Sequence, residues 1–348
     1  MILSTLDKSR KGGAYEQIPS LVLGQRWTPQ LNSRNMMKVV LCVWIEPYIE
    51  TDLSFCVWPV HTPTTSKEVL TLSASTSPLP YTGNKSCIVN TILSVMPKHT
   101  VYIDPCMGSA EVFFRKPRAE KEILNDYNGD LVNLFRVIQN NEKLAYLLGR
   151  LYLSINGELA FKQNKDRLKG VPNILDDVIE TSQIFYDASW EDIQNAAAFL
   201  ENQVYSFSST GQTFGIARRD MSQRLPRLMS AYNRIRDAII LHRDYKDVIT
   251  YAACPGSFIL LDPPYKGTED MYSKANFDIE QHDILFSFMS EVNQQHHGEV
   301  KFLITYNNGP YIRGLAEKHG FDTFVQTRLH SMKQSKEAGA LYEELLIA

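Results

Sequence analysis

No stretch of this sequence is long and apolar enough to span a bilayer; the longest unbroken apolar run, residues 39–45, is far too short. The first residues lack the order of charged, apolar and small side chains that marks a secretory signal. The 5 cysteines, Cys42, Cys56, Cys87, Cys106 and Cys254, form no C-x-x-C pair, which speaks against a zinc site or a disulfide framework. A metal-free protein in a reducing, cytoplasmic setting is the simplest expectation. Nor is there an overall excess of positive charge. With a net charge of −3, contact with a nucleic acid has to run through a local patch. The dinucleotide fingerprint G-x-G-x-x-G is missing, which argues against a nicotinamide enzyme, and the P-loop spacing is missing too. What remains is ordinary for a globular chain: 348 residues, 44% hydrophobic and 22% charged, enough for one α/β domain with an insertion or extension.

Against that background one stretch stands out, residues 258–265, an apolar run that ends in Asp262-Pro263-Pro264-Tyr265. The run reads as a buried parallel strand and the four residues as the loop at its carboxyl end, where open α/β sheets place ligands. Proline has no N–H and restrains the residue before it, so this loop is a stiff peptide rich in acceptors. Its natural guest is a planar ring bearing an NH₂ group, such as adenine or cytosine. Two acceptors on that amine draw its lone pair out of conjugation, and Tyr265 offers a face for stacking. At these residues the chain resembles the DNA adenine methylase family, whose D-P-P-Y motif lies in the catalytic pocket and whose methyl donor is S-adenosylmethionine.

Three upstream stretches fit the same picture. The turn Tyr81-Thr82-Gly83-Asn84-Lys85 opens an apolar helix, and a glycine with an ammonium at a helix start suits an anion. By itself it reads as a capped turn. It is similar to a family motif that helps hold the methionine carboxylate of the donor, which implies that role for Tyr81, Gly83 and Lys85. Residues 100–114 then read as a strand, a tight turn and a helix, the first half of a nucleotide-binding unit. Asp104, Pro105 and Gly108 match the family's donor-binding motif, while Cys106 replaces its usual aromatic residue and Ala110 a common second glycine or small residue. A second strand, residues 121–124, ends near Asp126, about twenty residues after Asp104, where such proteins hold ribose hydroxyls. Asp126 also suits a helix cap.

Residues 141–236 leave this rhythm for helical patterns, and from Gly211 to Val248 the chain carries 8 Arg or Lys against 4 Asp. Arginines among hydroxyl and amide groups suit phosphate contact and base reading. The resemblance places a DNA-recognition region here, with Arg218, Arg219, Arg224 and Arg227 as the candidates. Asp244 and Tyr245, after a strand at 238–242, match a short family pair that contacts the donor's adenine. Beyond Tyr265, residues 266–277 are long enough for a lid. Asp278 and Gln281 suit a capping box, and His282 reads as structural.

The resemblance covers roughly residues 78–348. It implies an α/β, doubly wound, mostly parallel seven-stranded sheet of the S-adenosylmethionine-dependent methyltransferase (Rossmann-like) type, with one antiparallel strand near the end. The catalytic domain would comprise 77–140 and 237–348, with an inserted helical recognition region at 141–236. Residues 1–76 fall outside the pattern; two or three short strands fit there, and no function is assigned. The activity implied is methyl transfer from S-adenosylmethionine to the 6-amino group of adenine in double-stranded DNA, without a metal. Asp262, Pro263, Pro264 and Tyr265 would carry it out, and a restriction endonuclease of the same system is an allowed partner. The same chemistry on cytosine, or an inactive DNA-binding relative, are the alternatives.

Overall fold

The structure, a computed structural model, describes residues 76–176, 188–217, 219–268, 277–329 and 341–348. The expected strands at 39–45 and 55–60, most of the lid and Arg218 lie outside them.

Seven strands form one sheet: β1 (Val101–Asp104), β2 (Lys121–Asn125), β3 (Ile239–Leu241), β4 (Ser257–Leu261), β5 (Lys301–Asn307), β6 (Thr323–Leu329) and β7 (Leu341–Ile347), in the order β3-β2-β1-β4-β5-β7-β6. The pairs from β3 to β5 are parallel; β7 runs antiparallel to both β5 and β6. All of β4 is buried, as a strand covered on both faces must be, which explains its unbroken apolar sequence. The sequence gives little sign of β6. It is an edge strand with Phe324 60% exposed, and its mixed residues show no clean alternation.

Ten helices complete the described residues: α1 (Val89–Val95), α2 (Glu111–Arg115), α3 (Gly129–Gln139), α4 (Asn141–Tyr152), α5 (Glu158–Lys169), α6 (Trp190–Tyr205), α7 (Leu225–Ile235), α8 (Tyr245–Ala252), α9 (Ile279–Gln295) and α10 (Pro310–Lys318). Local chemistry sets several starts. Asn128, Asn140, Asp244 and Asp278 cap α3, α4, α8 and α9, and Ser189 with Asp192 forms a capping box on α6.

Two apolar cores flank the sheet. One gathers α8, α9 and α10 under Ile103, Ile259 and Ile304. The other joins Leu124, Leu260 and Leu303 to α1, α2 and α3, and continues without a break into Leu147, Phe161, Ile193 and Leu228 of the inserted helices. The insertion is therefore built onto one sheet face, with α6 lying along α3 and α5. Its last helix is locked down by Arg234, which donates to both carboxylate oxygens of Glu122 on β2 at 2.5 and 2.8 Å. Lys116 meets the same carboxylate at 2.5 Å. So part of the basic stretch is interior scaffolding: Arg234 serves Glu122, and Arg243 donates to the Asp176 carbonyl at 2.6 Å.

Candidate active site

The loops at the carboxyl ends of β1, β2, β3 and β4 enclose a cavity of about 880 Å³. Its position follows from the parallel sheet, whose strand ends point their connecting loops to one side. The inserted region supplies the facing wall through Phe207, Gln212 and Lys165. Thr82 ties the two walls together, its hydroxyl donating to the Ser209 carbonyl at 3.1 Å with the Ser208 carbonyl at 3.3 Å beside it.

The structure brings the candidate donor-binding residues to this one cavity. Tyr81, Gly83 and Lys85 line it on one side, and Asp104, Pro105 and Gly108 form its floor after β1. Gly108 sits at φ +48°, and a Cβ there would meet the Tyr81 ring at 3.7 Å, so the turn lies directly beneath that ring. Ala110 is also left-handed, at φ +54°. Asp126 accepts from the Gly108 N–H at 3.0 Å and from the Asn128 N–H at 2.9 Å. It binds the donor turn, and the cap of α3 falls to Asn128. Asp244 and Tyr245 line the far end; Asp244 accepts from the Lys246 N–H, and the buried Tyr245 hydroxyl has no partner among the described residues.

Electrostatically the floor is unusual. Burial pushes the Asp104 carboxyl up to about 8; the hydrogen bond from Tyr102 (3.0 Å) opposes this, and the carboxylates of Asp262 and Asp126 add to it. One Asp104 oxygen, Oδ1, is buried without a partner among the described residues. Burial likewise raises Asp126 to about 6, against the pull of its backbone N–H partners. The thiol of Cys106, in the cavity wall, is driven well up by burial and by the carboxylates of Asp126, Asp104, Asp262 and Asp244, so it stays neutral.

Of the D-P-P-Y residues, Asp262 and Pro264 line the same cavity, and Pro263 is buried behind them. Tyr265 packs against Tyr306, with ring centroids 5.7 Å apart. The Lys85 ammonium stands 5.0 Å from the Tyr265 centroid and 2.5 Å from Asp262 Oδ2. The resemblance implies that Lys85 holds the donor's carboxylate; here it ties the turn at residues 81–85 to the D-P-P-Y loop. His282 is fully buried against Tyr306, with Nδ1 2.8 Å from the phenol, a structural histidine as read.

Arg219, Arg224 and Arg227 stand apart from this cavity. The Arg219 guanidinium donates to the Val204 carbonyl and lines a second cleft of about 610 Å³ with Asn156 and Ile216. Burial, then the charges of Arg227 and Arg219, lowers the Arg224 pKa.

Sequence reasoning missed three side chains. Asn125 donates to the Pro105 and Arg243 carbonyls at 2.8 and 2.9 Å and accepts from the Arg243 N–H, pinning three strand ends together. Thr305 donates to Asp262 Oδ1 at 2.7 Å, and Asn307 to the Lys266 carbonyl at 3.2 Å. The signal for each was a polar residue closing an apolar strand.

The sheet order, the antiparallel β7 and a cavity at the parallel strand ends are those of the S-adenosylmethionine-dependent methyltransferase fold. Residues 81–335 match the D12 class N6 adenine-specific DNA methyltransferase family, and the chain belongs to that family. It is similar to the DNA N-6-adenine-methyltransferase of Escherichia phage P1, 25% identical over 69% of this chain and 31% of that protein. It also resembles modification methylase LlaI of Lactococcus lactis subsp. lactis, 21% identical over 64% of this chain and 36% of the relative. A third relative is the type II methyltransferase M.CviBI of Paramecium bursaria Chlorella virus NC1A, 21% identical over 71% of this chain and 86% of its own length. The chain thus spans about a third of the first two relatives and most of the third.

Proposed function

We propose that this chain transfers a methyl group from S-adenosylmethionine to the 6-amino group of adenine in double-stranded DNA. The observation that carries the reading is the shared cavity: Asp262 opens into the same space as Asp104, Gly108 and Asp126. The donor's chemistry fits what lines that space. The left-handed Gly108 allows close backbone approach, and two buried polar atoms, Asp104 Oδ1 and the Tyr245 hydroxyl, lack partners among the described residues. Tyr81, Gly83, Asp104, Pro105, Gly108, Asp126, Asp244 and Tyr245 would hold the donor, with Lys85 between it and the acceptor loop. When bound, S-adenosylmethionine supplies an electrophilic methyl group.

The rest is the work of the chain's own residues. A base inside a duplex is out of reach, so adenine must swing out into the cavity. Asp262 and the Pro263 carbonyl then accept its amine hydrogens and free the nitrogen lone pair, while Pro264 stiffens the loop. Tyr265, whose ring packs against Tyr306 with the Lys85 ammonium 5.0 Å from its centre, would stack on the base. Catalysis is by placement and electrostatics. Arg218, Arg219, Arg224 and Arg227 would contact DNA phosphates, and the chain would work in the cytoplasm. Relatives named as modification methylases support a restriction endonuclease as a partner within one system.

The test is to incubate the protein with donor and unmodified DNA, digest to nucleosides and weigh the products. 6-Methyladenine is expected, and 4-methylcytosine or no product would reject the assignment. Asp262→Ala should retain donor binding by titration while turnover falls at least roughly a hundredfold.

A further inference from the structure

The geometry points to Thr305 as a positioning residue that orients the Asp262 carboxylate, working opposite Lys85. The inference rests on the proposed methyl transfer and deepens it by naming what aims the acceptor. β4 and β5 are parallel neighbours in the register Leu261↔Ile304. One residue further along each chain, Asp262 and Thr305 therefore stand side by side. Strand alternation puts Thr305 on the same face as Leu303, toward the core shared with α1 and the insertion, which is also where Lys85 comes from.

Thr305 is fully buried, and its Oγ1 lies 2.7 Å from Asp262 Oδ1 against 3.4 Å from the Leu261 carbonyl. A hydroxyl has one proton, and the shorter contact to the carboxylate takes it. From the other side the Lys85 ammonium is 2.5 Å from Oδ2. Two residues after Thr305 on the same strand face, Asn307 holds the Lys266 carbonyl and so fixes the far end of the loop. The terminal torsion of an aspartate is broad and weakly restrained by itself. One donor on each oxygen sets the plane of the carboxylate and still leaves each oxygen a second acceptor site for the incoming amine. Removing the Thr305 donor leaves the charge in place but lets the plane turn.

The experiment compares Thr305→Val, which keeps the volume and loses the donor, with Thr305→Ser, which keeps the donor. With adenine-containing DNA, Thr305→Val should lower kcat roughly tenfold or more, leaving KM for DNA and donor affinity within about twofold. Thr305→Ser should stay within about threefold of the unaltered protein. A kcat for Thr305→Val within about twofold of the unaltered protein, or an equal loss in Thr305→Ser, would overturn the inference. If the unaltered protein makes no 6-methyladenine, the activity reading fails on its own, and urea unfolding decides the contact. Thr305→Val and Asp262→Ala should then be non-additive in a double-mutant cycle, and additive losses would reject the pairing.

Discussion

Asp104 and Asp126 give the cavity floor a definite pH signature. An acid whose folded pKa is raised keeps a proton that the unfolded chain has lost, so stability falls as pH rises through the window between the two values. For Asp104 that window runs from 3.8 to about 8, and for Asp126 from 3.8 to about 6. The slope should be roughly 1.4 kcal/mol per pH unit for each proton involved. Urea midpoints measured from pH 5 to 8 should therefore decline in the unaltered protein and decline less in Asp104→Asn. Ala110, left-handed and 2% exposed, sets a second test at this scale. Replacing it by glycine relieves about 1 kcal/mol of backbone strain, but loses a buried methyl group and loosens the unfolded chain by similar amounts. Ala110→Gly should therefore be mildly destabilised, by about 1 kcal/mol, in thermal unfolding, whereas Ala110→Val, β-branched at the same φ, should be strongly destabilised.

At the scale of elements, the decisive contact joins α7 to β2. Glu122 accepts from Arg234 and Lys116 in the interior, and Arg234 stacks 3.7 Å over the Phe113 ring. Without Arg234, Glu122 keeps Lys116 but loses two buried charge-assisted hydrogen bonds, and the space over Phe113 is emptied. Arg234→Leu should cost about 3 kcal/mol in unfolding experiments, while Arg236→Ala, whose exposed partner is Asp237, should cost under about 1 kcal/mol. The sign with pH is opposite to that of Asp104. Burial tends to raise Glu122, but hydrogen bonds from Arg234 and Lys116 outweigh it and hold its pKa below 4.5. The stability this supplies is present above 4.5 and is lost as pH falls through the depressed folded value. Acid should thus release the insertion from the sheet before the sheet itself comes apart, which hydrogen exchange on α7 and β2 would resolve.

For the whole molecule, a net charge of −3 makes the proposed DNA contact a local affair. Arg224→Ala and Arg227→Ala should each weaken binding across all sequences and reduce the salt slope by about one. Arg219→Ala should also lower stability, because its guanidinium secures the Val204 carbonyl at the end of α6. No helix among the described residues is long and apolar enough to cross a membrane.

Read alone, the sequence determined the catalytic half of the sheet. Apolar runs closing in Asp104, Asn125-Asp126 and Asp262-Pro263-Pro264-Tyr265 announce buried parallel strands with polar tips, because both the apolar period and the abrupt polar ending are local properties. The helix start at Asp278 was equally local, whereas the cap offered to Asp126 fell to Asn128 and Asp244 proved to cap α8. Tertiary structure alone decided which tips meet. The Lys85–Asp262 and Thr305–Asp262 contacts join residues far apart in the chain, and only the strand register and the fold of the first turn onto β4 bring them within hydrogen-bonding distance. It also divided the basic stretch, sending Arg234 inward to Glu122 while Arg224 and Arg227 stay near the surface, a distinction that charge counting along a chain does not contain. Edge strand β6 belongs with these. Its partner β7 supplies the pairing that its own exposed residues do not signal.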